Sequence, residues 1–236
     1  DGGAASNAID DVLPKAYEES WDPGIGTASF HAFGSAVNKG SISYKTPSFE
    51  LPFGVTLSAA ADYDPNANAA QPSPASVGDA ASSGEAFVFK LAHESGLTLG
   101  GGEMTVGNTD ATKGETVATG YLLYKNGGLS VGYQEAYENA AITEKGTTTR
   151  GVDTESDGFA IAYSAGDLSF SYSETNETAQ ANGATAALEE EEFSAIQAAY
   201  NLGGMTIAAS LYEADNLDGV AAKKYEETEI SVSFAF

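Results

Sequence analysis

Large apolar residues alternate with small or polar residues in nearly every segment after residue 40. In GLSVGYQ (128–134) the large residues are Leu129, Val131 and Tyr133, with serine and glycine between them. GFAIAYS (158–164) and DLSFSYS (167–173) repeat the pattern. A two-residue period places successive side chains on opposite faces of a β-strand. The alternation therefore predicts an all-β chain in which each strand has one apolar and one polar face.

The connections between these segments alternate between short and long. The short ones contain Gly, Asn and Asp, which suit tight hairpin turns, and they cover 50–54, 94–96, 126–128, 165–167 and 202–204. The long ones are polar and acidic, and they cover roughly 64–84, 107–114, 137–157, 174–189 and 213–226. Strands joined in this way run antiparallel, so the sequence predicts tight turns at one end of the sheet and long loops at the other.

About eleven strands follow from the period and the turn signals together. They are expected at 41–47, 54–64, 85–94, 96–106, 115–126, 128–137, 157–165, 167–174, 190–201, 204–213 and 227–236. Several of these strands have the roughly 9–11 residues that a tilted strand needs to cross a bilayer.

The overall charge excludes several function classes. The chain carries 34 Asp and Glu against 10 Lys and Arg, a net charge of -24, so it lacks the basic patches that nucleic acids require. It has no cysteine and two histidines, which leaves almost no material for a thiolate metal site or a Ser-His-Asp triad. No constellation of nucleophile, base and orienting group can be assembled, so we expect no enzyme.

Two all-β arrangements are compatible with this pattern: a soluble barrel or sandwich, and a membrane barrel. The face opposite the apolar one carries mainly Ser, Thr, Gly, Ala and Gln, while most charges lie in the loops. That would be an unusual solvent surface for so acidic a protein. In lipid every backbone N–H and C=O must pair within the protein, so a sheet can cross only as a closed barrel. The pattern therefore favours an antiparallel transmembrane β-barrel.

The first forty residues do not alternate, and the chain is interpreted as a loop region, 1–40, followed by barrel strands, 41–236. DVLPKAYEESWD (11–22), followed by SISYKTPSFELPFGVTLSAAADYDP (41–65), resembles the third loop and the next two strands of Gram-negative general porins, particularly the alphaproteobacterial type. The final strand, EISVSFAF, ends in Phe236 and resembles their C-terminal assembly signal.

This resemblance implies a sixteen-stranded, trimeric diffusion pore in the cell outer membrane, in contact with lipid and lipopolysaccharide. In those porins the third loop follows the fifth strand, which leaves the eleven strands counted above. The first five strands would then be missing from this chain, cleaved from it or supplied separately. The resemblance also implies that the third loop folds into the pore.

If the loop folds inward, its charged residues would line the constriction of the pore. They are Asp10, Asp11, Lys15, Glu18, Glu19 and Asp22. Carboxylates in a narrow channel favour the entry of cations over anions. Lys45 and Lys90 fall on the polar faces of their strands and are candidate pore-wall residues. A solvated acidic surface loop and solvated wall lysines are the simpler alternatives.

DTESDG (153–158) has the spacing of the start of a calcium loop, with Asp153, Glu155 and Asp157 as candidate ligands. The twelfth position is Ser164 rather than Glu, so a plain solvated loop is the simpler interpretation. No cofactor is expected, apart from Ca²⁺ that acidic loops could bind.

The leading hypothesis is a porin through which small hydrophilic solutes and ions diffuse passively, with a preference for cations. The alternative is a structural or adhesive outer-membrane barrel that does not conduct and whose acidic loops bind ions. A soluble β-sandwich binding module is the third hypothesis, and it fails if the protein requires detergent.

Overall fold

The structure is a computed structural model that describes residues 9, 11–17, 42–65, 83–106, 111–113, 115–139, 142–143, 152–181 and 188–234. The predicted sites Asp10, Glu18, Glu19, Asp22 and Phe236 lie outside these residues. Among the described residues, none forms a helix long and apolar enough to span a membrane.

One antiparallel sheet of 12 strands dominates the described residues. Its strands are β1 (Ile42–Lys45), β2 (Phe49–Leu51), β3 (Val55–Asp64), β4 (Gly84–His93), β5 (Leu97–Val106), β7 (Glu115–Asn126), β8 (Leu129–Asn139), β10 (Val152–Ala165), β11 (Leu168–Ala181), β12 (Glu191–Asn201), β13 (Met205–Asp215) and β14 (Tyr225–Phe234). Strands β6 (Ala111–Lys113) and β9 (Ile142–Thr143) form a separate ribbon. The prediction of an all-β antiparallel fold is confirmed.

The strand order is β1-β3-β4-β5-β7-β8-β10-β11-β12-β13-β14, with β2 pairing to β3 beside β1. Counting β1 and β2 as one interrupted strand gives eleven neighbouring positions, as the sequence predicts. In the described residues the sheet is open, with β1 and β2 along one edge and β14 along the other.

Proline explains the interruption between β1 and β2. Three residues, Thr46, Pro47 and Ser48, stand opposite two residues of β3, because Lys45 pairs with Ala60 and Phe49 pairs with Leu57. Pro47 has no N–H for the ladder, and a bulge accommodates it. Thr46 keeps both strands together, since its N–H donates to the Ala59 carbonyl at 2.8 Å and its Oγ1 accepts from the Ala59 N–H at 3.0 Å.

Each predicted tight turn contains a glycine with a positive φ, the region that suits glycine best. These glycines are Gly54, Gly96, Gly127, Gly166 and Gly203. At the other end of the sheet, the connection from β13 to β14 is tied by ion pairs of Lys223 with Asp218 and of Lys224 with Asp215. The hydrogen bond to Asp215 raises the pKa of Lys224 above its ordinary value.

Two of the predicted long loops were wrong in length. Strand β10 begins at Val152 rather than at 157, and β11 continues to Ala181 rather than ending at 174. The two extensions pair with each other from Val152 opposite Ala181 down to Gly158 opposite Thr175. Both are polar on both faces, so the hydrophobic period stops while the backbone ladder continues.

Candidate functional site

The two faces of the sheet differ in composition, and the burial is the reverse of that in a water-soluble sheet. We call the face that carries Ser58, Lys90, Gln134, Ser171 and Gln197 the polar face, and the opposite one the apolar face. Buried polar side chains lie on the polar face: Asp62, Asp64, Thr119, Gln134, Thr154, Ser156, Ser171, Thr175, Gln197 and Ser210. Most exposed large residues of the strands lie on the apolar face, including Tyr44, Tyr63, Tyr124, Tyr133, Tyr163, Tyr172, Tyr200 and Phe234.

A stretch of irregular chain crosses the polar face. We call its described residues, Ile9 and Asp11 to Tyr17, the crossing segment. Ile9 is buried among Ala86 of β4, Met104 of β5 and Val117 of β7. The segment therefore begins on an apolar part of the polar face.

The middle of the crossing segment lies over β8 and β10. Leu13 is buried with Ala136 of β8 and Ala160 of β10. Gly132 of β8 makes room for the chain, because a Cβ built there would be 2.7 Å from Cδ of Pro14 and 3.4 Å from Cδ2 of Leu13. Small residues on these two strands, Gly132, Ala136 and Ala160, thus form a shallow surface on which Leu13 and Pro14 pack, which we call the seat.

Side-chain hydrogen bonds hold the rest of the segment. The Val12 N–H donates to Oε1 of Gln134 at 2.9 Å. The Ala16 N–H donates to Oγ of Ser171 at 2.8 Å and to Oε1 of Gln197 at 3.2 Å. The Tyr17 hydroxyl donates to Oγ of Ser210 on β13 at 3.1 Å. The segment therefore runs from β4 to β13, across the full series of intervening strands.

Two of the predicted constriction residues, Asp11 and Lys15, form an ion pair within the segment. Asp11 Oδ2 is 3.4 Å from Lys15 Nζ, and Asp11 Oδ1 accepts the Leu13 N–H at 2.8 Å. Both side chains are about one-third exposed, at 38% and 31%. A pair with this exposure adds little stability, so charge is not what attaches the segment.

The two predicted wall lysines lie on the polar face, close to each other. Lys45 stands opposite Ala60, and Lys90 stands opposite Ser58, two residues along the same strand β3. Strands β1 and β4, which flank β3, are separated by two strand spacings, or about 10 Å. Both Lys45 and Lys90 are exposed.

Several carboxylates on the polar face were missed as site candidates, and two pairs of them show why. Asp62 and Asp64 of β3 are buried, with 4% and 1% of their surface exposed. Glu227 and Glu229 of β14 stand opposite Tyr212 and Ser210 of β13. The two-residue period could have placed these carboxylates on the polar face, because Asp62 shares a face with Ser58, and Glu229 shares one with Ser231.

The candidate calcium ligands lie on a strand rather than in a loop. Asp153, Glu155 and Asp157 occupy alternate positions of β10 and share its apolar face. In the described ranges, no group of three or more His, Cys, Asp or Glu is arranged to hold a metal ion. Calcium binding remains a prediction from the sequence.

Comparison with known proteins gives similarity to solved structures. No family model and no curated sequence matches the chain. Among solved structures, the chain is similar to a porin refined at 1.8 Å resolution, with a TM-score of 0.62 and 14% sequence identity. The match covers 99% of this chain and 76% of that porin. At this identity the similarity establishes the fold: the chain has the strand arrangement of a porin wall.

Proposed function

We propose that this chain forms the wall of a water-filled channel in a bacterial outer membrane, through which small hydrophilic solutes and ions diffuse passively. One observation carries the proposal: the sheet exposes its apolar face and covers its polar face with a segment of its own chain. An exposed band of Leu, Ile, Phe and Tyr suits lipid, and a polar opposite face suits water. The porin fold supports the same function, and a channel of this kind needs no catalytic residues.

The proposal includes a preference for cations. The crossing segment narrows the space that the polar face encloses, and the sequence around it is acidic: Asp10, Asp11, Glu18, Glu19 and Asp22, with Lys15 among them. Carboxylates in a narrow, partly desolvated passage lower the entry cost for cations and raise it for anions. Glu227 and Glu229 add two more carboxylates on the polar face.

The assembly around the chain is also part of the proposal. An open antiparallel sheet has unpaired backbone groups along both edges, and lipid does not tolerate them. Further strands would complete a sixteen-stranded barrel, three barrels would form a trimer in lipid and lipopolysaccharide, and Phe236 would serve as the assembly signal. The strand number, the trimer, the lipopolysaccharide contact and the assembly signal rest on the resemblance.

Planar-bilayer recording under a salt gradient tests the channel and its selectivity together. We expect stepwise conductance with a reversal potential that favours cations. Charge reversal at Asp10, Asp11, Glu18 and Glu19 should move this potential towards the anion side, because the repelled ion changes sign. A control reverses two charges, at Glu85 and Glu226, which are exposed on the apolar face, and should leave the potential nearly unchanged; its counterpart reverses Asp11 and Glu18 alone.

Two results would contradict the proposal. A folded, heat-resistant barrel that does not conduct would exclude a diffusion channel and favour the structural or adhesive barrel. Conductance that responds equally to both sets of charge reversals would retain the channel but remove the crossing segment from its selectivity.

A further inference from the structure

Two glutamines of the polar face, Gln134 on β8 and Gln197 on β12, have the same arrangement around their side-chain amides. Gln134 Nε2 donates to Oγ1 of Thr119 on β7 at 3.1 Å, and Gln197 Nε2 donates to the hydroxyl of Tyr212 on β13 at 3.1 Å. In both, the nitrogen side of the amide is bonded to the neighbouring strand. In both glutamines, the side-chain oxygen Oε1 faces the crossing segment.

The amide oxygens receive backbone N–H groups of the segment. Gln134 Oε1 accepts from Val12, and Gln197 Oε1 accepts from Ala16. The Gln197 oxygen also accepts from the hydroxyl of Ser171 at 3.0 Å, and that hydroxyl in turn accepts from Ala16. The two glutamines therefore hold the segment at two points, one on each side of Leu13.

Because both glutamines are buried, losing one of these hydrogen bonds would be costly. Gln134 has 0% of its surface exposed and Gln197 has 5%, so neither side chain can form the wall of an aqueous passage. A buried amide must have partners for both its donor and its acceptor, and leaving one unpaired costs more than the bond itself contributes. A primary amide can donate to the wall and accept from the segment at the same time, which a carboxylate or a thioether cannot.

We propose that Gln134 and Gln197 are positioning residues that fix the height and orientation of the crossing segment on the sheet, and so set the width of the passage. This inference rests on the proposed channel function for its consequence, but not for its structural content. The glutamines act through the segment and do not contact the solute. Their amides fix where the segment lies, while the apolar contacts of Ile9 and Leu13 keep it from leaving the surface.

The position of the segment can be measured without any conductance. The chain has no cysteine, so spin labels can be attached through Lys15→Cys on the segment and Lys90→Cys on β4, and their separation measured by pulsed electron paramagnetic resonance. The labelled protein should give one narrow distance distribution. Adding Gln134→Met and Gln197→Met should broaden it, because losing two hydrogen bonds of ordinary net strength raises the detached population about thirtyfold.

Two further variants separate the effect of side-chain length from the effects of face polarity and of misfolding. Gln134→Asn and Gln197→Asn keep the amide but withdraw it by one methylene, so each should broaden the distribution although the polarity of the face is unchanged. These milder variants also serve if the double methionine variant does not fold. Ser156→Ala is the matched control: Ser156 is buried on the polar face, and its hydroxyl has no hydrogen-bond partner within the described residues.

Current noise in single-channel recordings gives the functional readout. The glutamine variants should show increased open-channel noise with the heat resistance of the barrel retained, and Ser156→Ala should not. A distance distribution that stays narrow in the asparagine and methionine variants would overturn the positioning role, whatever the conductance. If the distribution broadens but the native protein does not conduct, the positioning role stands and the proposed channel function fails.

Discussion

The crossing segment is attached differently at its two ends. Around Ile9 the polar face of the sheet is locally apolar, and the contact is burial against Ala86, Met104 and Val117. From Val12 to Tyr17 the face also presents hydroxyls and amides, and hydrogen bonds to them hold the segment on both sides of Leu13. Burial of apolar surface supplies free energy without direction. A hydrogen bond contributes less net free energy but requires a defined distance and angle. The apolar contacts therefore keep the segment on the sheet, and the hydrogen bonds determine where it lies.

The largest expected effect comes from the apolar end. Ile9→Ala should lower the free energy of opening of the segment by about 2–5 kcal/mol, the usual loss for a buried Ile or Leu. Hydrogen exchange of the Val12, Leu13 and Ala16 amides in the folded, detergent-solubilised protein measures this opening. Ile42→Ala, an exposed isoleucine on β1, is the control and should leave the exchange unchanged. Equal exchange in both variants would show that the apolar end contributes nothing.

The seat in the middle of the segment should give the next largest effect. Gly132→Ala places a Cβ 2.7 Å from Cδ of Pro14 and 2.8 Å from Cδ2 of Leu123, so the segment must shift. Overpacking of this kind costs about 1–3 kcal/mol, and the same amide exchange should accelerate. The matched control is Gly120→Ala on β7, where a Cβ would meet nothing within 4 Å. A tolerated Gly132→Ala would mean that the segment is not seated on β8.

A smaller effect is expected at the hydrogen-bonded end. Tyr17→Phe removes one hydroxyl that donates to Ser210, and one such bond is worth about 1 kcal/mol net. Exchange of the Ala16 amide should rise a few-fold, while the amides near Ile9 are unaffected. Tyr163→Phe on the apolar face is the control. Uniform acceleration along the whole segment would argue against two independent attachments.

The smallest effect on attachment should come from the exposed ion pair. Lys15→Gln leaves Asp11 with its bond to the Leu13 N–H, and a surface pair is worth about 0–1 kcal/mol. Amide exchange should therefore barely change. The reversal potential should nevertheless move further towards cations, because a positive charge has been removed from the segment. A large change in exchange with no change in potential would reverse the roles assigned to burial and charge.

The sequence predicted the number and order of the strands well because the centre of each strand has one apolar and one polar face. Apolar and polar residues therefore alternate along it. It did not predict the extensions of β10 and β11, where both faces are polar. It also missed the ribbon of β6 and β9, whose strands have only three and two residues. Short polar strands leave no hydrophobic period to detect.

The candidate site was only partly predictable. The acidic loop and the polar-face lysines could be selected from charge and period. The roles of Gln134 and Gln197 could not, because each appears in the sequence as one more polar residue in an alternating strand. Their partners come from the crossing segment, more than a hundred residues earlier, and no local pattern connects them.

That separation has a consequence for how the molecule reaches its final form. Every ladder of the large sheet joins strands that follow one another in the strand order described above, so the wall can form hairpin by hairpin. The crossing segment is different: its bonds span 122 residues at Gln134 and 193 at Ser210. Closing such loops carries an entropic cost before the contacts form. The first residues of the described chain can therefore make all of these contacts only after β13 has joined the sheet.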